Sequence, residues 1–284
     1  MRAIRIGVAA PGSRIDAAIA ARVTQLAEAQ FGGRVVLHFH PQCFLSCGHF
    51  AGNDKTRAAT FLELANDPGL DAVWMARGGY GAARIVPRVL AGLAPLAAEK
   101  AYLGYSDAGA LLSALYALGF ARVAHGPMPA DSLREGGDKA VLRALSFLVE
   151  QAPDALESSV DGATPTAAFN LTILCHLLGT PHEPDLTGHI VMLEEVSEHL
   201  YRIDRALCQL TRNAKMQRVA GLRLGRVSLI PPNDPEFGQT PDEIIRHWCA
   251  DSAIPYLGSA DIGHDVENKI VPFGVLGDRE RAKR

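Results

Sequence analysis

The chain has 284 residues, 48% of them hydrophobic and 21% charged, with 28 Lys and Arg against 31 Asp and Glu for a formal net charge of -3. That near-balance gives no basic footprint for nucleic acid or for an anionic membrane surface, so neither is expected as a partner. The length suits two modest domains better than one large one. The opening MRAIRIGVAAPGSRID breaks at Pro11 and Gly12, too soon for a signal peptide, and reads as a first buried strand. No apolar run approaches the roughly 20 residues of a membrane span, which points to a cytoplasmic protein. Five scattered cysteines, an odd number, fit reduced thiols and no disulfide framework.

Short apolar runs alternate with helical patterns through the first half, the signature of parallel βαβ units. The pattern predicts strands over 3–10 and 34–40, helices over 16–31 and 56–66, a strand over 71–76 and a helix over 82–93. A strand over 102–105 and a helix over 108–118 follow. These elements imply an α/β fold, a flavodoxin-like doubly wound parallel sheet whose ligands bind at the carboxyl ends of the strands. From about 131 to 166 Gly136, Gly137, Pro153, Gly162 and Pro165 interrupt the periodicity. The division expected is therefore a nucleophile domain over 1–135, a linker over 136–165 and a smaller α/β domain over 166–284. In the latter the pattern predicts helices over 170–178 and 201–211 and strands over 189–193, 219–230 and 255–259.

Several stretches carry candidate chemistry. HFHPQCFLSCGHF holds His38, His40, Cys43, Cys47 and His49, but its spacing matches neither a zinc knuckle nor a His-Glu-x-x-His helix, and no metal is expected. RGGYGAAR, from Arg77 to Arg84, follows a strand and opens a helix, so its glycines expose N–H groups suited to a phosphate, a carboxylate or an oxyanion. It lacks the spacing of a nucleotide loop, and a tight turn needing positive φ explains it equally well. GYSDAG, Gly104 to Gly109, resembles a Gly-x-Ser-x-Gly nucleophile elbow with Ala108 in place of the second glycine. Ser106 is then either a helix N-cap or a nucleophile, with the N–H of Asp107 facing a developing oxyanion.

A serine nucleophile needs a base and an orienting acid, and ten histidines leave the base open. His264 stands out on the polar loop SADIGHDVENK, whereas His125 and His176 suit packing or local hydrogen bonds. Glu194 and Glu195 stand at the end of an apolar strand, where a carboxylate fits a site as readily as a solvated terminus.

Taken in order, the PGS turn, FAGNDKTRAATFLELANDP, ARGGYGAARIVP, YLGYSDAGALLSAL, GFARVAHGPM, LLGTP, LEEVSEHLYRIDRAL and GHDVENKIVPFG resemble the LD-carboxypeptidase family of serine peptidases. That family includes muramoyltetrapeptide carboxypeptidases and microcin C immunity enzymes. The resemblance implies Ser106 as nucleophile, Glu194 as triad acid and His264 as base. It implies backbone N–H groups of Gly79, or Gly78, and Asp107 as oxyanion donors, with the site in the cleft between two domains. It also implies release of a C-terminal D-alanine from a murein tetrapeptide in peptidoglycan recycling, without metal or organic cofactor, by a homodimer.

Arg77, Arg84 and Arg202 are candidates for holding the substrate carboxylate, and Gly78 with Arg77 and Arg202 for the wider binding surface. The chain departs from the family in reading AAFNL at 167–171, where Phe169 is expected to narrow or reshape the cleft, and in its polar end VLGDRERAKR. Two other readings stand beside this one: hydrolysis of a peptidyl-nucleotide amide, and a non-catalytic flavodoxin-like module that binds an anion at RGGYG.

Overall fold

The structure is a computed structural model and describes residues 2–276, so most of the polar C-terminal stretch lies outside the described residues. Five parallel strands build the first sheet: β1 (Ile4–Ala9), β2 (Val35–Phe39), β3 (Ala72–Met75), β4 (Ala101–Gly104) and β5 (Val123–His125), in the order β5-β4-β3-β1-β2. Its central strands are apolar on both faces because both are covered: every residue of β3 and of β4 is buried. Strand alternation divides the coverage. Ala72 and Trp74 pack with α1 (Ala17–Phe31) and α5 (Asp138–Glu150), while Val73 and Met75 pack with α2 (Asp54–Asn66), α3 (Ala82–Gly92) and α4 (Gly109–Ala117). The order reverses direction between β1 and β3, so the loops leaving their carboxyl ends diverge and open a crevice there.

A second parallel sheet holds β6 (Thr166–Asn170), β7 (Ile190–Val196), β8 (Gly221–Ser228) and β9 (Tyr256–Ser259) in sequence order, covered by α6 (Leu171–Leu177), α7 (Leu200–Thr211) and α8 (Pro241–Ser252). The halves share a core. One continuous apolar cluster runs from Phe61 and Leu111 through Phe169 to Leu193 and Leu207, with α4 packed on α6. After β9 the chain returns to the first sheet, where β10 (Val271–Pro272) pairs antiparallel with β5. Thr166 and Gly274 then exchange backbone hydrogen bonds of 3.1 and 2.8 Å, stitching β6 to that returning segment. The loop from 260 to 270 therefore crosses from one sheet to the other.

Four expectations change. The stretch read as a linker over 136–165 contains α5, whose Val141, Ala144, Leu145 and Leu148 recur at helical spacing and bury against the first sheet. β7 runs through Glu194 and Glu195 to Val196 and does not end before them, because β6 pairs with it as far as Glu194 and β8 as far as Val196. Phe169 packs its ring on Phe273 at 4.9 Å and is 1% exposed, so it fills core between the sheets and does not reshape the cleft. His176 is exposed on α6, without a packing role.

Candidate active site

β4 ends at Gly104, Tyr105 remains extended, and Ser106 turns into the left-handed region at φ 59° before a single 3-10 turn leads into α4. A side chain with a Cβ adopts this backbone only at a cost of about 1–2 kcal/mol, so the surroundings must hold it there. The hydroxyl makes no capping bond; it lies 3.0 Å from Nε2 of His264, which comes from a point 158 residues along the chain. Nδ1 of the same ring lies 2.6 Å from Oε2 of Glu194. With its proton on Nδ1, the imidazole donates to Glu194 and accepts from Ser106.

The two adjacent glutamates have different surroundings. Glu195 accepts from the Asn170 side chain at 2.6 Å, from the backbone N–H and hydroxyl of Thr172 at 2.9 and 2.7 Å, and from the N–H of Val196 at 2.9 Å. It pins the start of α6 to the end of β7. Glu194 is fully buried, and burial raises its carboxyl above the ordinary range against the opposing pull of His264. On His264 burial opposes the charged ring, but the charge and hydrogen bond of Glu194 prevail and its pKa rises above the ordinary 6.5. A desolvated carboxylate at this distance stabilises an imidazolium far more than one in water.

The His264 loop is held by side chains. Asn268 Oδ1 accepts from the N–H of Gly263 at 3.2 Å and contacts Nε2 of His125 at 3.0 Å. Arg226 spans the loop, paired with Asp261 on one side of His264 and with Asp265 on the other. It can do so because the register of β7 with β8 shifts opposite Glu194, leaving one extra residue on β8. The Tyr105 ring packs 4.9 Å from the His264 ring and 5.4 Å from that of His125. His125 is itself fully buried, which lowers its pKa to about 4 and keeps it neutral beside the base.

The glycine-rich turn stands opposite. Gly79 has φ 98°, and a Cβ there would collide with the Ser13 hydroxyl; one on Gly78 would lie 3.0 Å from Ser106 Cβ and Oγ and 3.6 Å from the N–H of Asp107. Glycine lets the turn sit this close to the serine without forcing a neighbour to move. The turn is fixed by the N–H of Ser13 donating to the Gly78 carbonyl at 3.2 Å, and by buried Arg57 donating to the carbonyls of Pro11 and Gly81. Asp107 directs its carboxylate to the first N–H groups of α3, accepting from Gly81 at 3.3 Å and Ala82 at 2.9 Å. Burial nevertheless pushes its pKa up to about 6.

Ser106 and His264 line a cleft of about 480 Å³, with Arg77, Gly78 and Gly79 on one side of Ser106 and Tyr105, Asp131 and Arg134 on another. Arg202 does not line it: this side chain pairs with Glu198 at 3.6 Å and lies over Tyr201 in a separate depression between α6 and α7. Arg84 is committed to Asp54 at 2.9 Å. Arg134 was not legible as a cleft residue, because it follows Gly126 and Pro127 in a stretch without periodicity. Among the described residues no cluster of three His, Cys, Asp or Glu is placed to hold a metal ion, and His40 instead accepts from the N–H of Gln42 at 3.1 Å.

Comparison with known proteins gives the chain a family. Family models for the LD-carboxypeptidase N-terminal and C-terminal domains match residues 6–126 and 165–277. A Streptomyces coelicolor protein provisionally named a carboxypeptidase is 34% identical over 80% of this chain and 74% of its own. The murein tetrapeptide carboxypeptidase of Pseudomonas aeruginosa is 28% identical over 80% of this chain and 78% of its own. The crystal structure of muramoyltetrapeptide carboxypeptidase from Oxalobacter formigenes superposes with a TM-score of 0.76 at 24% identity, covering 95% of this chain and 92% of that one. The chain belongs to the LD-carboxypeptidase family of peptidases.

Proposed function

We propose that the protein is a serine-type LD-carboxypeptidase that releases a C-terminal D-amino acid, D-alanine, from murein tetrapeptides in the recycling of cell-wall peptides. The observation that carries this reading is the single imidazole of His264 within hydrogen-bond distance of both Ser106 and Glu194. Ser106 Oγ attacks the terminal amide carbonyl and passes its proton to Nε2 of His264, while Glu194 fixes the tautomer and stabilises the imidazolium. The N–H groups of Gly79 and Asp107 receive the oxyanion, an interaction whose loss typically costs roughly 10² to 10³ in turnover per donor. His264 returns the proton to the leaving amine, and the D-amino acid departs. Water, deprotonated by the same histidine, then hydrolyses the acyl-enzyme and frees Ser106. No step calls for a cofactor.

The substrate is carried by the family and by the names of its relatives, and we take the enzyme to work in the cytoplasm as a homodimer. Among the described residues no helix is long and apolar enough to cross a membrane. The test is D-alanine release from a murein tetrapeptide set beside hydrolysis of an aminoacyl sulfamoyl-adenosine. Faster turnover of the tetrapeptide is the outcome expected; turnover of the adenylate analogue alone would replace the substrate assignment while leaving the triad intact.

A further inference from the structure

A carboxypeptidase must recognise a free carboxylate one residue beyond the bond it cuts. In the mechanism proposed above, the leaving nitrogen takes its proton from His264. That nitrogen and the terminal carboxyl carbon of the same residue are joined through one Cα and are therefore only roughly 2.5 Å apart. The carboxylate receptor must then lie on the His264 side of Ser106. It must also be a fixed cation, because a mobile one loses in ordering entropy much of what it gains in binding.

We infer that Arg134 is this receptor, a specificity-determining residue that binds the C-terminal carboxylate of the departing amino acid; the inference rests on the carboxypeptidase reading. Arg134 lines the cleft with Ser106 and His264, and its charge is near enough to the imidazole to act against protonation there. Its orientation is set from behind. Asp131, 4% exposed, accepts from Arg134 Nε at 3.1 Å, from the Tyr105 hydroxyl at 2.7 Å and from the N–H of Met128 at 2.8 Å. Tyr105 is the residue whose ring packs against His264, so the arginine, its carboxylate and the base share one rigid wall.

With Nε on Asp131 and the Tyr105 hydroxyl beside the guanidinium, the outward N–H groups of the fork remain to meet a carboxylate, the geometry that takes it in parallel hydrogen bonds. The side chain is 38% exposed, and among the described residues Asp131 is its only ion-pair partner. The other arginines fit less well. Arg77 lies beside the glycine turn, on the oxyanion side, is exposed, and among the described residues is held only by a 3.4 Å contact to the Arg14 carbonyl. Arg202 and Arg84 are engaged away from the cleft, as described above.

The test compares a tetrapeptide ending in a free D-alanine carboxylate with the same peptide ending in D-alanine amide, on wild type, Arg134→Gln and Arg134→Lys. Wild type is expected to prefer the carboxylate form. Arg134→Gln should lose about 10- to 100-fold in kcat/KM on that form and little on the amide, so the preference collapses, with Arg134→Lys falling between. The ratio of the two rates within one variant does not depend on the fraction folded. A preference kept in Arg134→Gln, or absent from wild type, overturns Arg134 as receptor while D-alanine release upholds the carboxypeptidase reading. No release by wild type from either peptide overturns that reading and the receptor with it.

Discussion

On the edge of the first sheet, Ser106 and the facing turn are positioned by backbone: a left-handed serine, a left-handed Gly79, and a Gly78 where a Cβ would press on the nucleophile at 3.0 Å. On the edge of the second, Glu194 and His264 are positioned by side chains: Arg226 bracketing the loop between two aspartates, Asn268 holding Gly263, and Glu195 tying β7 to α6. The backbone-built edge should be intolerant of added volume and respond to pH chiefly through Asp107, at about 6. The edge built of charges and hydrogen bonds should respond to pH and to the loss of single polar groups.

The largest effect expected in breaking that contrast is at Glu194. Glu194→Gln should cost about 10⁴ in kcat, since the imidazole loses both its tautomer control and its counter-charge. It should also change the pH dependence. The base works only when neutral, so kcat/KM of wild type rises as pH climbs through the His264 pKa, which lies above 6.5. Removing the carboxylate leaves burial dominant and moves that limb to lower pH. The stability arising from the raised pKa follows the opposite course, complete below 6.5 and lost as pH rises through the folded value.

Gly78→Ala tests the other edge. It should lower kcat by about 10² to 10³, because the Cβ displaces the serine and the oxyanion donors together, without moving the pH limb. Next in size is Arg226, a positioning residue that touches no reacting atom. Arg226→Gln should reduce kcat about tenfold with KM nearly unchanged and displace the pH limb, and Arg226→Lys should recover part of both. Smallest for catalysis is Glu195→Gln, which leaves donors at Thr172 and Asn170 poorly met. We expect a loss of about 1–3 kcal/mol in thermal or denaturant unfolding and a near-normal kcat for the folded protein.

The same contrast explains how far the sequence could be read. Strands β1 to β4 and helices α1 to α4 follow from apolar periodicity, because local pattern and final burial agree over 4–9, 72–75 and 101–104. The glycine turn and the Gly-Tyr-Ser-Asp segment are visible for a related reason: backbone that needs glycine or a sharp turn writes itself locally. The side-chain edge does not. Neither Arg226 nor Asn268 belongs to a pattern of its own, since each acts through a β-bulge or a loop crossing between sheets. Glu194 and Glu195 looked like a strand end because charge inside an apolar strand is rare unless it is paired, and the partners, His264 and Asn170, are remote or unmarked in sequence. α5 was hidden by the glycines and prolines on either side, although its own spacing was regular.

The most direct measurement is the kcat for D-alanine release from a murein tetrapeptide by Ser106→Ala, with circular dichroism confirming an unchanged fold. The account predicts a fall of about 10⁴ to 10⁶ from wild type, the scale on which loss of a triad nucleophile is felt. A well-folded Ser106→Ala that turns over at the wild-type rate would contradict it.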